Sequence, residues 1–253
     1  MLTTDQWITL AETESTNSLL LEGFYPSGTM VTARRQTAGR GRQGRPWKNT
    51  ENQSFLYSLL LEFDRWPDAI SVMPLMAGLA VLEAAQACLR DLYPAALPQT
   101  SFFIKWPNDI LIKRENRIGK VAGILLESRM EKNCVRVVTG IGLNWSAVPR
   151  ETAPAHFPPA ALFPDDFPQA KEPEQFIVWL LSALNRYHYD QPAFTAEIRE
   201  AIEDRFFLTG RMLRGSFGTA VCKGLSAEGM LLLERDDGTV IKYDRTDEEY
   251  EIL

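Results

Sequence analysis

Histidine is nearly absent: two residues, His156 and His188, stand in a chain of 253. That leaves almost no room for a multi-histidine metal centre, and no protein metal site is expected. Cysteine is scarce too. Cys88, Cys134 and Cys222 lie far apart, form no CxxC pair and are odd in number. A disulfide framework is not expected, and the thiols read as reduced and mostly buried. Positive charge is in deficit, with 27 Lys and Arg against 33 Asp and Glu and a formal net charge of −6. A basic field over the whole molecule, of the kind that draws nucleic acid, is missing, although a local basic patch is not excluded. The chain does not open on a basic stretch followed by an apolar run, so no signal peptide is expected. The most apolar stretch, residues 72–89, carries Pro74, Glu83 and Gln86 and reads as a buried helix rather than a membrane span. A soluble, cytoplasmic protein without a membrane partner is expected.

What is present suits a globular protein. Hydrophobic residues make up 45% and charged residues 24%, so wholesale disorder is unexpected, and the length allows one large domain or two ordinary ones. Short strands are expected over residues 7–10, 30–33, 54–61, 102–106, 109–113, 121–127 and 135–141. Ser15 or Thr16, before the cluster Leu19, Leu20 and Leu21, resembles a helix cap. Ser71 is placed to cap a second helix, with Pro74 in its first turn, where a missing N–H does little harm. Residues 148–173, rich in proline and alanine, read as an irregular loop, and helices are expected over 173–187 and 192–207. From Leu208 the pattern changes to short β runs separated by glycines, at 211–214, 219–223, 229–233 and 239–243, with Asp237-Gly238 as a hairpin signal. These runs read as a small antiparallel barrel that packs on the larger domain.

Four segments carry residues suited to chemistry. The first is Gln36 through Trp47, in which Gly39, Gly41 and Gly44 alternate with Arg40, Arg42 and Arg45. Glycine lets a backbone approach a ligand closely, and guanidinium forks match carboxylate or phosphate oxygens. The glycines also satisfy GxGxxG, but a dinucleotide fingerprint opens a helix, whereas this one runs into Pro46-Trp47. An anion-binding loop is the better reading; a merely solvated basic loop is the alternative. The second is Lys105-Trp106-Pro107-Asn108-Asp109, which sets polar heads at a strand end or simply makes a corner. The third is Gly119-Lys120-Val121-Ala122-Gly123, whose lysine suits phosphate oxygens in a dry pocket, although most lysines at strand starts are solvated. The fourth ends a buried strand at Asn144, an amide able to meet a base edge or to close a turn.

Together with Glu14-Ser15-Thr16-Asn17, these segments occur in the order and spacing of the biotin protein ligases, which the chain resembles over nearly its whole length. The match is less clear over residues 148–170. The resemblance implies an α+β fold: a catalytic domain over 1–207, related to class II aminoacyl-tRNA synthetases with a mixed sheet flanked by helices, and an SH3-like barrel over 208–253. It implies an ATP-dependent ligase that activates biotin as biotinyl-5'-AMP and passes it to a lysine of a biotin carboxyl carrier domain, with Mg2+ as helper. A lipoate or other acyl-protein ligase on the same fold is the alternative.

By the same resemblance Ser15, Thr16, Asn17, Gln36, Arg40, Gly41, Arg42, Lys120 and Gly123 are expected around biotin. Arg40, Arg42, Arg45, Trp47, Asn108, Lys120 and Asn144 are expected around the nucleotide, and Lys120 and Arg42 are the expected catalytic pair. Lys105 is either catalytic or held structurally by Asp109. The segment 39–47 is the expected cover over the activated intermediate. Only some fourteen residues precede Ser15, too few for a helix-turn-helix domain, so a monofunctional ligase without DNA binding is expected. Monomers and homodimers both remain compatible.

Overall fold

The computed structural model describes residues 1–149, 157–163 and 173–253. His156 and most of the proline- and alanine-rich segment lie outside the described residues.

Apolar and β-branched runs build the first sheet. Its strands are β1 (Trp7–Thr13), β2 (Met30–Gln36), β3 (Ser54–Phe63), β4 (Thr100–Lys105), β5 (Asp109–Arg114), β6 (Arg117–Met130) and β7 (Val135–Asn144). Their spatial order is β1-β2-β3-β7-β6-β5-β4. The first pair is parallel and the others are antiparallel, which makes the sheet mixed. Strands β3 and β7 are buried along most of their length, as expected of central strands covered on both faces.

Alternation along the strands assigns the faces. Phe55, Tyr57, Leu59, Val137 and Ile141 join a large core with α2 (Met73–Leu92) and α3 (Ile177–Arg186). On the opposite face Leu60 and Val138 meet Val31 and Leu20, the last on α1 (Thr16–Glu22). Ser15 caps α1 as expected, accepting a 3.4 Å hydrogen bond from Ser18 N. The expected Ser71 cap is a correction. The α2 cap residue is Val72, without a side-chain cap bond, and Pro74 occupies the first turn. The last long helix is shorter than expected: α4 spans Ala196–Glu203 because Thr195 caps it, accepting from Ile198 N. None of the helices among the described residues is long and apolar enough to cross a membrane.

The second sheet comprises β8 (Met212–Gly215), β9 (Gly218–Leu225), β10 (Leu231–Glu234), β11 (Val240–Tyr243) and β12 (Glu251–Ile252). It is antiparallel in the order β11-β10-β9-β8-β12. Gly238, at φ +81°, makes the turn between β10 and β11 that Asp237-Gly238 signalled. The fold class is therefore the expected one, a mixed sheet flanked by helices followed by an SH3-like β module. Two long-range contacts seat this module beside the strand break after β4. Trp106 Nε1 donates to Gly229 O at 3.3 Å, and the Tyr250 hydroxyl donates to Trp106 O at 2.6 Å.

Candidate active site

Glycine clears one face of the first sheet. Gly123 on β6 pairs with Gly142 on β7, and Gly140 lies two residues back on the same face. With no Cβ in the way, other side chains lie flat on the backbone. A Cβ at Gly140 would stand 2.9 Å from Asn17 Cγ, and one at Gly142 would stand 2.5 Å from Trp47 Nε1. Sequence placed these glycines beside a buried strand; the sheet register turns them into a floor.

The start of α1 forms one wall. Gln36 Oε1 accepts from Thr16 N at 2.7 Å and from Thr16 Oγ1 at 3.0 Å. Ser58 Oγ lies 2.7 Å from Thr16 Oγ1 and 2.6 Å from Asn17 Oδ1. Asn17 Nδ2 donates to Leu125 O at 3.3 Å and to Glu127 Oε2 at 2.8 Å. Asn17 thus commits its amide mainly to the protein, while Ser15, Thr16 and Asn17 are all nearly fully buried. A buried polar cluster with this much mutual bonding is rigid and well oriented.

The glycine- and arginine-rich loop forms the cover. Trp47 N donates to Gly39 O at 2.8 Å and Gly41 N to Arg45 O at 2.7 Å, closing a tight hairpin around the turn Arg42–Gly44. Gly44, at φ +70°, permits that turn. The GxGxxG pattern therefore opens no α-helix, consistent with setting the dinucleotide reading aside. Trp47 carries its indole onto the glycine floor. Its Nε1 is buried without a hydrogen-bond partner among the described residues, and Lys120 Nζ stands 5.4 Å from the centre of its ring. Arg40 pairs with Glu127 at 3.0 Å, and Arg45 pairs with Glu249 in the C-terminal module.

Cations gather around Asp109. Lys120 Nζ lies 2.6 Å from Asp109 Oδ1, and Lys105 Nζ lies 3.9 Å from Asp109 Oδ2. Lys105 also sits 5.0 Å from the centre of the Tyr250 ring. Burial lowers its pKa from the ordinary lysine range, an effect that Asp109 opposes. Burial likewise lowers that of Arg42, again opposed by Asp109. Arg42 donates to Asn108 Oδ1 at 3.3 Å, and Asn108 Nδ2 donates to Ile124 O at 2.7 Å. Asn144 is buried and donates to Ala160 O at 3.1 Å, so its amide also closes the local backbone.

All of the residues expected at the site, from Ser15 to Asn144 in sequence, line one cavity of about 700 Å3. Its size suits a ligand larger than a single metabolite ring. Sequence reasoning missed Ser58, Glu127 and the tail residues Glu248, Glu249 and Tyr250, the last three of which line the same cavity. Ser58 and Glu127 look like ordinary strand residues, and the tail looks like a solvated charged run. Only the sheet register and the docking of the second module bring them in.

The chain is similar to known proteins in sequence and in fold. The sequence profile of the biotin/lipoate A/B protein ligase family matches residues 9–144. A biotin–[acetyl-CoA-carboxylase] ligase of Paracoccus denitrificans is 34% identical over 90% of this chain and 94% of its own length. The bifunctional ligase/repressor BirA of Bacillus subtilis is 31% identical over 90% of this chain and 68% of its own. Among solved structures, a biotin protein ligase from Aquifex aeolicus in complex with biotin and ATP superposes with a TM-score of 0.75 at 25% identity, covering 98% of this chain and all of that one.

Proposed function

The chain belongs to the biotin/lipoate A/B protein ligase family, and on that premise we propose that it couples biotin to ATP and transfers the biotinyl group to a protein lysine. In the first step a biotin carboxylate oxygen attacks the α-phosphorus and the bond to pyrophosphate breaks. In the second an uncharged lysine amine attacks the acyl carbon, AMP leaves with the electron pair of the C–O bond, and the nitrogen gives up a proton. The observation that carries this reading is the single cavity that joins the polar wall at Thr16 and Gln36 to the cations Lys120, Lys105 and Arg42.

Two anions must meet for the first step. Lys120 and Arg42 offset their repulsion and the charge that develops at phosphorus, and they do so from positions fixed before the ligands arrive. The polar wall offers directed partners to the uncharged ring system of biotin, and the Trp47 indole, laid on the glycine floor, offers flat apolar surface for its ring and tail. Asn108, Asn144 and Arg45 line the nucleotide half. The loop over 39–47 keeps water from the mixed anhydride.

Mg2+ fits the cavity as a passenger of the triphosphate. Among the described residues no group of three His, Cys, Asp or Glu side chains converges to hold a metal, and Mg2+ commonly keeps waters and phosphate oxygens as its main ligands. Asn108 and Asp109, whose side-chain oxygens line the cavity beside Lys120 and Arg42, would hold it. When bound, it neutralises phosphate charge. The acceptor we propose is the carrier domain of a biotin-dependent carboxylase in the cytoplasm, and the division of labour is a catalytic domain over 1–207 with an SH3-like module over 208–253.

ATP–pyrophosphate exchange with biotin and lipoate offered separately tests the reading. Exchange with biotin is expected; exchange supported by lipoate alone would overturn it. A second expectation concerns Arg42. A hydrogen-bonded guanidinium contributes about 1.5–3 kcal/mol, so Arg42→Ala is expected to let the activated intermediate escape roughly tenfold faster. Trapping by added free amine measures this, and retention equal to that of the parent removes Arg42 from the role.

A further inference from the structure

Glu127 belongs to none of the motifs that led to the site, yet two of its walls meet on it. It lies on β6, on the same face as Gly123, and its side chain is about one quarter exposed. One oxygen accepts from Asn17 Nδ2 at 2.8 Å. Arg40 NH2 donates to both oxygens, at 3.0 and 3.4 Å. Asn17 is the end of the bonded cluster that includes Ser58 and Thr16, and Arg40 is the first arginine of the covering loop. The carboxylate therefore links the floor of the cavity to the base of its cover.

We propose that Glu127 is the positioning residue that holds the loop over 39–47 closed through Arg40 while it fixes the Asn17 amide. This rests on the reading of the cavity as a biotin and adenylate site. The link has a chemical logic. Arg40 without a counter-charge would be free to pair with any anion at the mouth of the cavity. Paired with Glu127, it is held against β6, and the hairpin bonds of the loop carry that constraint to Trp47. The two duties of Glu127 differ in what they require. Asn17 needs only an acceptor oxygen, which an amide also has; Arg40 needs the negative charge.

That difference makes the test. In Glu127→Gln the Asn17 bond survives and the Arg40 pair does not. Biotin affinity, read by calorimetric titration, is expected to fall clearly less than in Glu127→Ala, since the Asn17 partner is kept. The loop is expected to open more often, so that trypsin cuts after Arg40 or Arg42 several times faster, and the activated intermediate escapes faster. In Glu127→Ala both partners are lost, and biotin affinity is expected to fall roughly tenfold as well, the equivalent of one hydrogen bond to a charged group. Glu127→Asp, which keeps the charge on a shorter arm, is expected to restore much of the protection from trypsin. Equal tryptic cleavage in parent and Glu127→Gln would overturn the proposal, as would a Glu127→Gln variant that loses biotin affinity as strongly as Glu127→Ala. Trypsin resistance does not depend on turnover, so a parent that forms no biotinyl-adenylate would overturn the functional reading while the loop assignment is still decided by cleavage. If Glu127→Ala fails to fold, the comparison of parent, Gln and Asp variants decides alone.

Discussion

Lys120→Ala is expected to slow formation of the acyl-adenylate by about a hundred- to a thousandfold, the usual effect of removing one preorganised charge-stabilising donor. The argument begins with position. Lys120 lies on β6 three residues before Gly123 of the glycine floor, its ammonium group 2.6 Å from Asp109 Oδ1 and its side chain about one third exposed. At about 4 Å and an effective dielectric near 20, a contact between unit charges amounts to roughly 4 kcal/mol. Only the part of that attraction that grows as the carboxylate reaches phosphorus lowers the barrier. The effect should therefore fall on kcat for pyrophosphate exchange more than on the binding of biotin alone. The fold should tolerate the change, because Asp109 keeps Lys105 at 3.9 Å as a counter-charge. Lys120→Arg is not expected to restore the rate, since a planar fork cannot replace a compact ammonium packed against Trp47. Exchange kinetics on folded variants checks this, and adenylation within about threefold of the parent would remove Lys120 from the mechanism.

Such a prediction was available because the loops that carry the chemistry are written in local residues. Glycines, arginines, the Lys105 to Asp109 corner and the amide at Asn144 all announce themselves within a few positions. The long buried helix and the β-branched strands were equally legible, since their period is local. Strand β6 was read as 121–127 but extends over Arg117–Met130, because charged residues at its ends hide the alternation. The two-residue strand β12 has no pattern at all; it exists because β8 offers it a partner. The tail behaves in the same way. Gln43 reaches the Asp247 carbonyl across 204 positions of sequence, and no local signal marks a docking partner at that distance. Glu127 was hidden for a related reason, since its meaning depends on which strand face it shares and with which helix.

The glycine floor yields the second large effect, one that separates cavity shape from charge. Gly142→Val is expected to weaken biotin binding by at least about a hundredfold, with Gly142→Ala intermediate. A Cβ at position 142 would stand 2.5 Å from Trp47 Nε1 and 2.6 Å from its Cζ2, closer than real side chains approach. Something must move, and the sheet cannot, because β7 is bonded on one side to β3 and on the other to β6. Trp47 is the element that yields. The ring cannot sink toward β6 instead, since it already lies close over the Gly123 backbone, where a Cβ would stand 3.1 Å from Trp47 Cζ3. The indole must therefore lift away, opening the cover and removing the flat surface proposed for the biotin tail. Strand propensity alone favours valine over glycine, so the expected loss runs against the local preference of the backbone. Two measurements check it together: calorimetric titration with biotin, and the emission of Trp47, isolated by comparison with Trp47→Phe, which should shift to the red as the ring meets water. A Gly142→Val protein that keeps parental biotin affinity and an unshifted Trp47 emission would mean that the ligand lies elsewhere than on this floor.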